Sequence, residues 1–172
     1  MESIQTKIRL KKKKKMMNII NHVFSMDETT INFSGDKNDT YFKVIENSFT
    51  SAISGKSNLS DEVKKMKGLS GRKFRVMMNH LIKNLEDPKY LEIGSWLGSS
   101  ACSVCFNNKV NITCIDDWSQ NFSTNLDSKK IFKSNLKKFL NEDISPQIIE
   151  KDFREVDFKK IKNVNIYFYD GS

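Results

Sequence analysis

The stretch that decides the fold is KYLEIGSWLGSSACSVCF, residues 89–106. It opens on a short apolar run, Tyr90-Leu91-Glu92-Ile93, breaks at Gly94, and resumes after Gly98 with residues that can form a helix. A strand that turns sharply into a helix needs a residue without a Cβ, because the backbone angles or a close approach would otherwise clash. Gly94 meets that need. Gly98 then lets the helix start pack near the strand or near a ligand, and exposed N–H groups there favour anionic or polar ligand atoms.

Outward from this turn the pattern repeats. VNITCIDDW, residues 110–118, is a β-branched run ending in acids. A helix is expected from about Asp127, with Ile131, Phe132, Leu136, Phe139 and Leu140 on one side. QIIEKD at 147–152 and NVNIYFYDG at 163–171 are two more short apolar runs. Strands alternating with helices predict an α/β fold, a parallel sheet with helices on both faces. Right-handed crossovers then nearly determine the local topology.

Upstream, the chain reads as a helical N-terminal flank. Phe42, Ile45, Phe49 and Ile53 recur at helical spacing, and Ser60 followed by Asp61 and Glu62 predicts a second, capped helix. The clearest helix is SGRKFRVMMNHLIKNL, residues 70–85. Its Phe74, Met77, Met78, Leu81, Ile82 and Leu85 form one stripe, with Ser70 as the expected cap and Pro88 beyond its end. His80 lies off the stripe and reads as a surface residue. The expected organisation is a weakly ordered basic tail over 1–40, a helical flank or lid over 41–88, and the sheet-bearing domain over 89–172.

Composition narrows the classes. The chain has 172 residues, of which 38% are hydrophobic and 29% charged, enough for one soluble domain. No apolar run is long enough to span a membrane. The start lacks a small-residue cleavage site, and three cysteines make an odd count, so a cytoplasmic, reducing setting is expected. Of the net +8, residues 1–15 carry +6, seven positive side chains against Glu2, which leaves +2 for the other 157 residues. The cations are 25 Lys and 4 Arg. Arg is the better fork for bases and phosphates, so nucleic acid is disfavoured as a partner. Cys102 and Cys105 are spaced C-x-x-C, but they lie inside the predicted helix and read as core.

The functional signal lies at the strand ends. Asp116 closes the second strand 22 residues after Gly94, where an acid reaches ribose hydroxyls, and Asp117 is the alternative beside it. Asp152 and Asp170 follow the third and fourth strands. In open α/β sheets that edge is where ligands bind. The dinucleotide fingerprint G-x-G-x-x-G is not matched: Trp96 stands where the second glycine would admit a pyrophosphate.

Three segments, Glu92-Ile-Gly94-Ser-Trp96-Leu-Gly98, Ile115-Asp116-Asp117-Trp118 and Tyr167-Phe-Tyr-Asp170-Gly171-Ser172, resemble class I S-adenosylmethionine-dependent methyltransferases. The branch is the one with an E-I-G-S-x-x-G first motif and an aspartate–glycine fourth motif, and the likeness covers roughly residues 68–172. It implies a Rossmann-like sheet beginning 3-2-1-4, with S-adenosyl-L-methionine as cofactor and a small-molecule or sugar hydroxyl as acceptor. It implies that Glu92, Gly94 and their neighbours Ser95, Trp96 and Gly98 border the methionine part. Asp116, or Asp117, would bind the ribose, and Asp152 and Phe153 would lie by the adenine. Gly68–Lys73 would form a lid over the site. Asp170 is the candidate catalytic acid or base. In related metal-dependent enzymes an acid there binds a divalent cation, but a lone aspartate does not make a metal site.

The family sheet has seven strands, of which four are readable here. The expectation is therefore a fragment, or a fourth strand whose edge self-associates with another chain. The alternatives are a non-catalytic nucleic-acid-binding protein using the Lys-rich tail, or an NAD-type nucleotide-binding enzyme.

Overall fold

The computed structural model describes residues 31–120, 122 and 125–171, so the basic run at residues 11–15 lies outside the described residues. Residues 31–35 have no regular structure, and Asp36–Ser172 forms one compact unit. Its centre is a parallel sheet of β1 (Lys89–Ile93), β2 (Asn111–Ile115), β3 (Gln147–Ile149) and β4 (Ile166–Tyr169). The order is β3-β2-β1-β4, as the resemblance implied. Register places Ile93 between Ile115 and Tyr169, so the strand exits lie side by side along one edge.

The period-2 alternation of β1 divides its side chains between two cores. Tyr90, with Ile112, Cys114 and Ile166 from its neighbours, belongs to the larger one. Leu91 and Ile93 join Ile115 in the smaller one. Helices α3 (Arg72–Lys83), α4 (Ser99–Cys105) and α5 (Ser128–Phe139) supply much of the larger core, with Ala52, Leu59 and Val63 of the N-terminal flank. Asp127 caps α5 by accepting from the Lys130 N–H at 3.0 Å. The smaller core is closed by Phe153, Val156 and Ile161, in and beside two 3-10 turns, Phe153–Glu155 and Phe158–Lys160. The second sheet face therefore carries no α-helix among the described residues, where a helix was expected. The reason is topological: β1–α4–β2–α5–β3 advances in one direction along the sheet, and only the return to β4 crosses the other face.

The flank departs from its sequence pattern in two places. Helix α1 (Thr40–Ile53) buries Val44, Ser48 and Ala52, while Ile45 is exposed. The buried stripe is the one with small residues, which let α1 approach α3 closely. The Ser48 hydroxyl is satisfied within the helix by the Val44 carbonyl at 2.6 Å. Helix α2 (Asp61–Lys65) is capped by Ser60, as its sequence predicts. Helix α3 is not capped by Ser70: Gly71 occupies the N-cap, and the Ser70 hydroxyl accepts from Arg75 Nε at 3.0 Å. His80 has a partner in the Lys56 carbonyl, 3.0 Å from Nε2.

Both motif glycines adopt left-handed backbone, φ 86° at Gly94 and 81° at Gly98. A Cβ on Gly94 would lie 2.5 Å from the Asp170 carbonyl oxygen. At Gly98 the obstacle is Phe132 of α5, at 2.9 Å, rather than a strand or a ligand. Among the described residues no helix is long and apolar enough to cross a membrane.

These contacts rank two substitutions. Gly94→Ala adds a backbone collision to the left-handed penalty and is expected to cost about 2–5 kcal/mol. Gly98→Ala meets only a ring edge that can shift, and is expected to cost less. Urea unfolding of the two variants beside the parent chain checks the order.

Candidate functional site

The exits of all four strands open onto one cleft of about 850 Å3, part of it open to solvent. From the first motif Gly94, Ser95 and Trp96 line it; from the second, Asp116, Asp117 and Trp118; from the third, Asp152 and Phe153; from the fourth, Asp170 and Gly171. Leu69 and Ser70, in the segment expected to act as a lid, also line it. Two predicted residues do not. Gly98 packs under Phe132, and Glu92 is fully buried behind the wall.

Asp116 organises the rim. One carboxylate oxygen accepts the Trp96 N–H and the other the Trp118 N–H, each at 2.7 Å. Both tryptophans have left-handed backbone, φ 43° and 53°, which is costly for a bulky residue and persists only when the surroundings impose it. The loops are also tied to each other, since Trp118 Nε1 donates to the Trp96 carbonyl at 2.8 Å. Trp118 packs on Phe132, and Trp96 meets Phe122 edge-on with ring centroids 4.9 Å apart. Each Asp116 oxygen keeps a second lone pair, so the clamp leaves acceptor capacity for a ligand hydroxyl. Asp117 is exposed and accepts from the Ser119 N–H and hydroxyl.

Asp152 caps the first 3-10 turn and forms a fork with Arg154, whose hydrogen bonds hold the carboxyl down at about 2. Phe153 beside it meets Tyr169 edge-on at 5.6 Å. Asp170 donates its N–H to the Ile93 carbonyl at 2.8 Å, and partial burial raises its carboxyl above the ordinary range. Among the described residues no three His, Cys, Asp or Glu side chains converge on a point that could hold a metal ion. Asp170 has no co-ligands there, and these residues do not fit a divalent cation. The three cysteines are buried thiols, with Cys102 pushed up to about 12, as core residues are.

Glu92 is the unusual group. Its Oε2 accepts the Tyr90 hydroxyl at 2.7 Å, while its Oε1 makes no well-formed hydrogen bond among the described residues. Burial pushes the carboxyl up to about 7, against the opposing pull of the Tyr90, Ser100 and Ser95 hydroxyls. The Ser95 hydroxyl and Trp96 Nε1 are also buried and make no well-formed hydrogen bond among the described residues. Three polar atoms short of a well-formed bond thus gather at one turn.

Sequence reasoning missed Ser99, Ser119, Gln120, Phe122, Lys151 and Arg154, which also line the cleft. Ser99 directly follows the first motif, and Lys151 and Arg154 lie within two residues of Asp152, so adjacency was a usable signal for those three. Phe122 lies in a loop with no pattern of its own.

The raised Glu92 carboxyl sets a pH dependence. Between its ordinary value of 4.5 and about 7, the folded chain holds a proton that the unfolded chain has released. Stability therefore falls as pH rises across that window, by up to roughly 3 kcal/mol. Glu92→Gln is expected to remove this contribution. Denaturant unfolding at pH 5 and pH 8 should give parent and variant different pH slopes.

No protein-family model, curated protein or solved structure matches the chain. What the site can do is read from its own residues.

Proposed function

We propose that the cleft binds S-adenosyl-L-methionine and that the chain belongs to a methyltransferase acting on a hydroxyl of a small molecule or sugar. The observation that carries this reading is the meeting of four motif segments on one cleft at the carboxyl edge of a 3-2-1-4 sheet. Ser95 and Trp96, which line the cleft and whose hydroxyl and indole N–H have no well-formed hydrogen bond among the described residues, support it, because a cofactor with carboxylate, hydroxyl and ring nitrogen atoms offers acceptors for both.

The bound cofactor supplies a methyl group activated by a sulfonium; the protein's task is alignment. Asp116 holds the two tryptophan loops in place and accepts from a ribose hydroxyl with its remaining lone pairs. Asp117 extends the same acidic rim. Phe153 offers an apolar face to the adenine. Trp96, Phe122 and Leu69 shield the reacting end from water. Asp170, with its carboxyl raised by burial, is the group that would accept the proton of an acceptor hydroxyl.

Titration calorimetry of the full chain with S-adenosylhomocysteine tests the reading: saturable binding is expected, and none at millimolar ligand overturns it. Asp116→Ala should weaken binding by about 1–3 kcal/mol. Asp116→Asn, which keeps one acceptor oxygen, should lose less.

A further inference from the structure

Arg75 is the second charged side chain that the fold buries beside the cleft. It is 3% exposed, on the first turn of α3. Its Nε donates to the Ser70 hydroxyl at 3.0 Å and its Nη1 to the Met66 carbonyl at 2.8 Å. Among the described residues no carboxylate pairs with it. The charged neighbour that acts on it is Arg72, of the same sign. A buried cation without a counterion is costly, and the neutral oxygens around it compensate only in part.

The surroundings show where a counterion would sit. A Cβ on Gly68 would lie 2.0 Å from Ser99 Oγ and 2.8 Å from Arg75 Nη2, so guanidinium and hydroxyl approach each other across a bare Cα. The Ser70 and Ser99 hydroxyls are 3.5 Å apart, and both line the cleft. Because Ser70 Oγ accepts from the guanidinium, its own O–H can donate, to Ser99 Oγ or to a ligand, and a polarised hydroxyl donates more strongly. The buried Ser95 hydroxyl on the same wall makes no well-formed hydrogen bond among the described residues. This end of the cleft is thus a hydroxyl surface with a positive charge set directly behind it.

We infer that Arg75, acting through the Ser70 hydroxyl, positions a ligand carboxylate at the Ser70–Ser99 end of the cleft. The inference rests on the cofactor reading above and specifies which end of the cleft takes the carboxylate of the cofactor's amino-acid arm. Arg75 is a positioning residue: it touches Ser70, not the reacting atoms.

The test compares two ligands that differ only in that carboxylate, S-adenosylmethionine and its decarboxylated analogue, by calorimetry on the full chain. The parent chain should bind the carboxylate-bearing ligand more tightly. Arg75→Met should weaken that binding about tenfold or more while leaving the analogue unchanged, and Arg75→Lys should recover part of the loss. Ser70→Ala, which keeps the buried cation, should shift the same ligand in the same direction by less, and it decides the matter if Arg75→Met does not fold. Equal losses for both ligands would show that Arg75 only shapes the wall. That result, no loss for either ligand, or a parent chain that does not distinguish the two, overturns the inference and leaves the cofactor reading standing. A parent chain that binds neither ligand overturns both.

Discussion

A side chain at position 94 and the backbone leaving β4 cannot occupy the same space. The Asp170 carbonyl lies 2.5 Å from where a Cβ on Gly94 would be, and the Gly94 N–H is bonded to the Ile115 carbonyl on the other side. One bare Cα therefore sets how closely the exits of β2, β1 and β4 converge. Everything at the cleft follows from that convergence: Asp116 reaches the Trp96 N–H, and a Cβ on Gly171 would lie 3.2 Å from the Ile93 side chain. Open the turn at Gly94, and the acids at the strand ends would no longer share a cavity.

The wall behind this turn is electrostatically odd. Stable interiors pair their charges, yet among the described residues Glu92 has no cation beside it and Arg75 has no acid. Both face the serine-lined part of the cleft from behind, Glu92 behind Ser95 and Ser100, Arg75 behind Ser70. The left-handed Trp96 and Trp118 add backbone strain at the same rim. Strain and unpaired charge gathered in one place are tolerated when a ligand relieves them, and the larger core, with Phe132 and Tyr90 fully buried, is what holds the arrangement without one.

Much of the framework was legible in sequence because it depends on local chemistry. The Ser60 cap, the helix start near Asp127, the four strands and the acids that end them are each signalled by a few adjacent residues. What was not legible depends on distant partners. The α1 stripe shifted from Ile45 to Val44, Ser48 and Ala52 because α3 sets the distance, and hydrophobicity alone does not weigh close approach. Ser70 looked like a cap but serves Arg75, and Gly98 looked like a ligand-side glycine but makes room for Phe132. Asp116 looked free for a ligand, whereas both of its oxygens already hold backbone amides.

The sequence by itself determined the elements, their α/β order and the residues at the strand exits, since periodicity, caps and obligatory glycines act within a few residues of chain. Only the tertiary structure decided which of those residues face the cleft, which lie behind it, and which buried charges remain without a partner. The physical reason is that burial and pairing are properties of a place. Arg75, Ser70 and Ser99 acquire a shared role only when α3 and α4 close around Gly68.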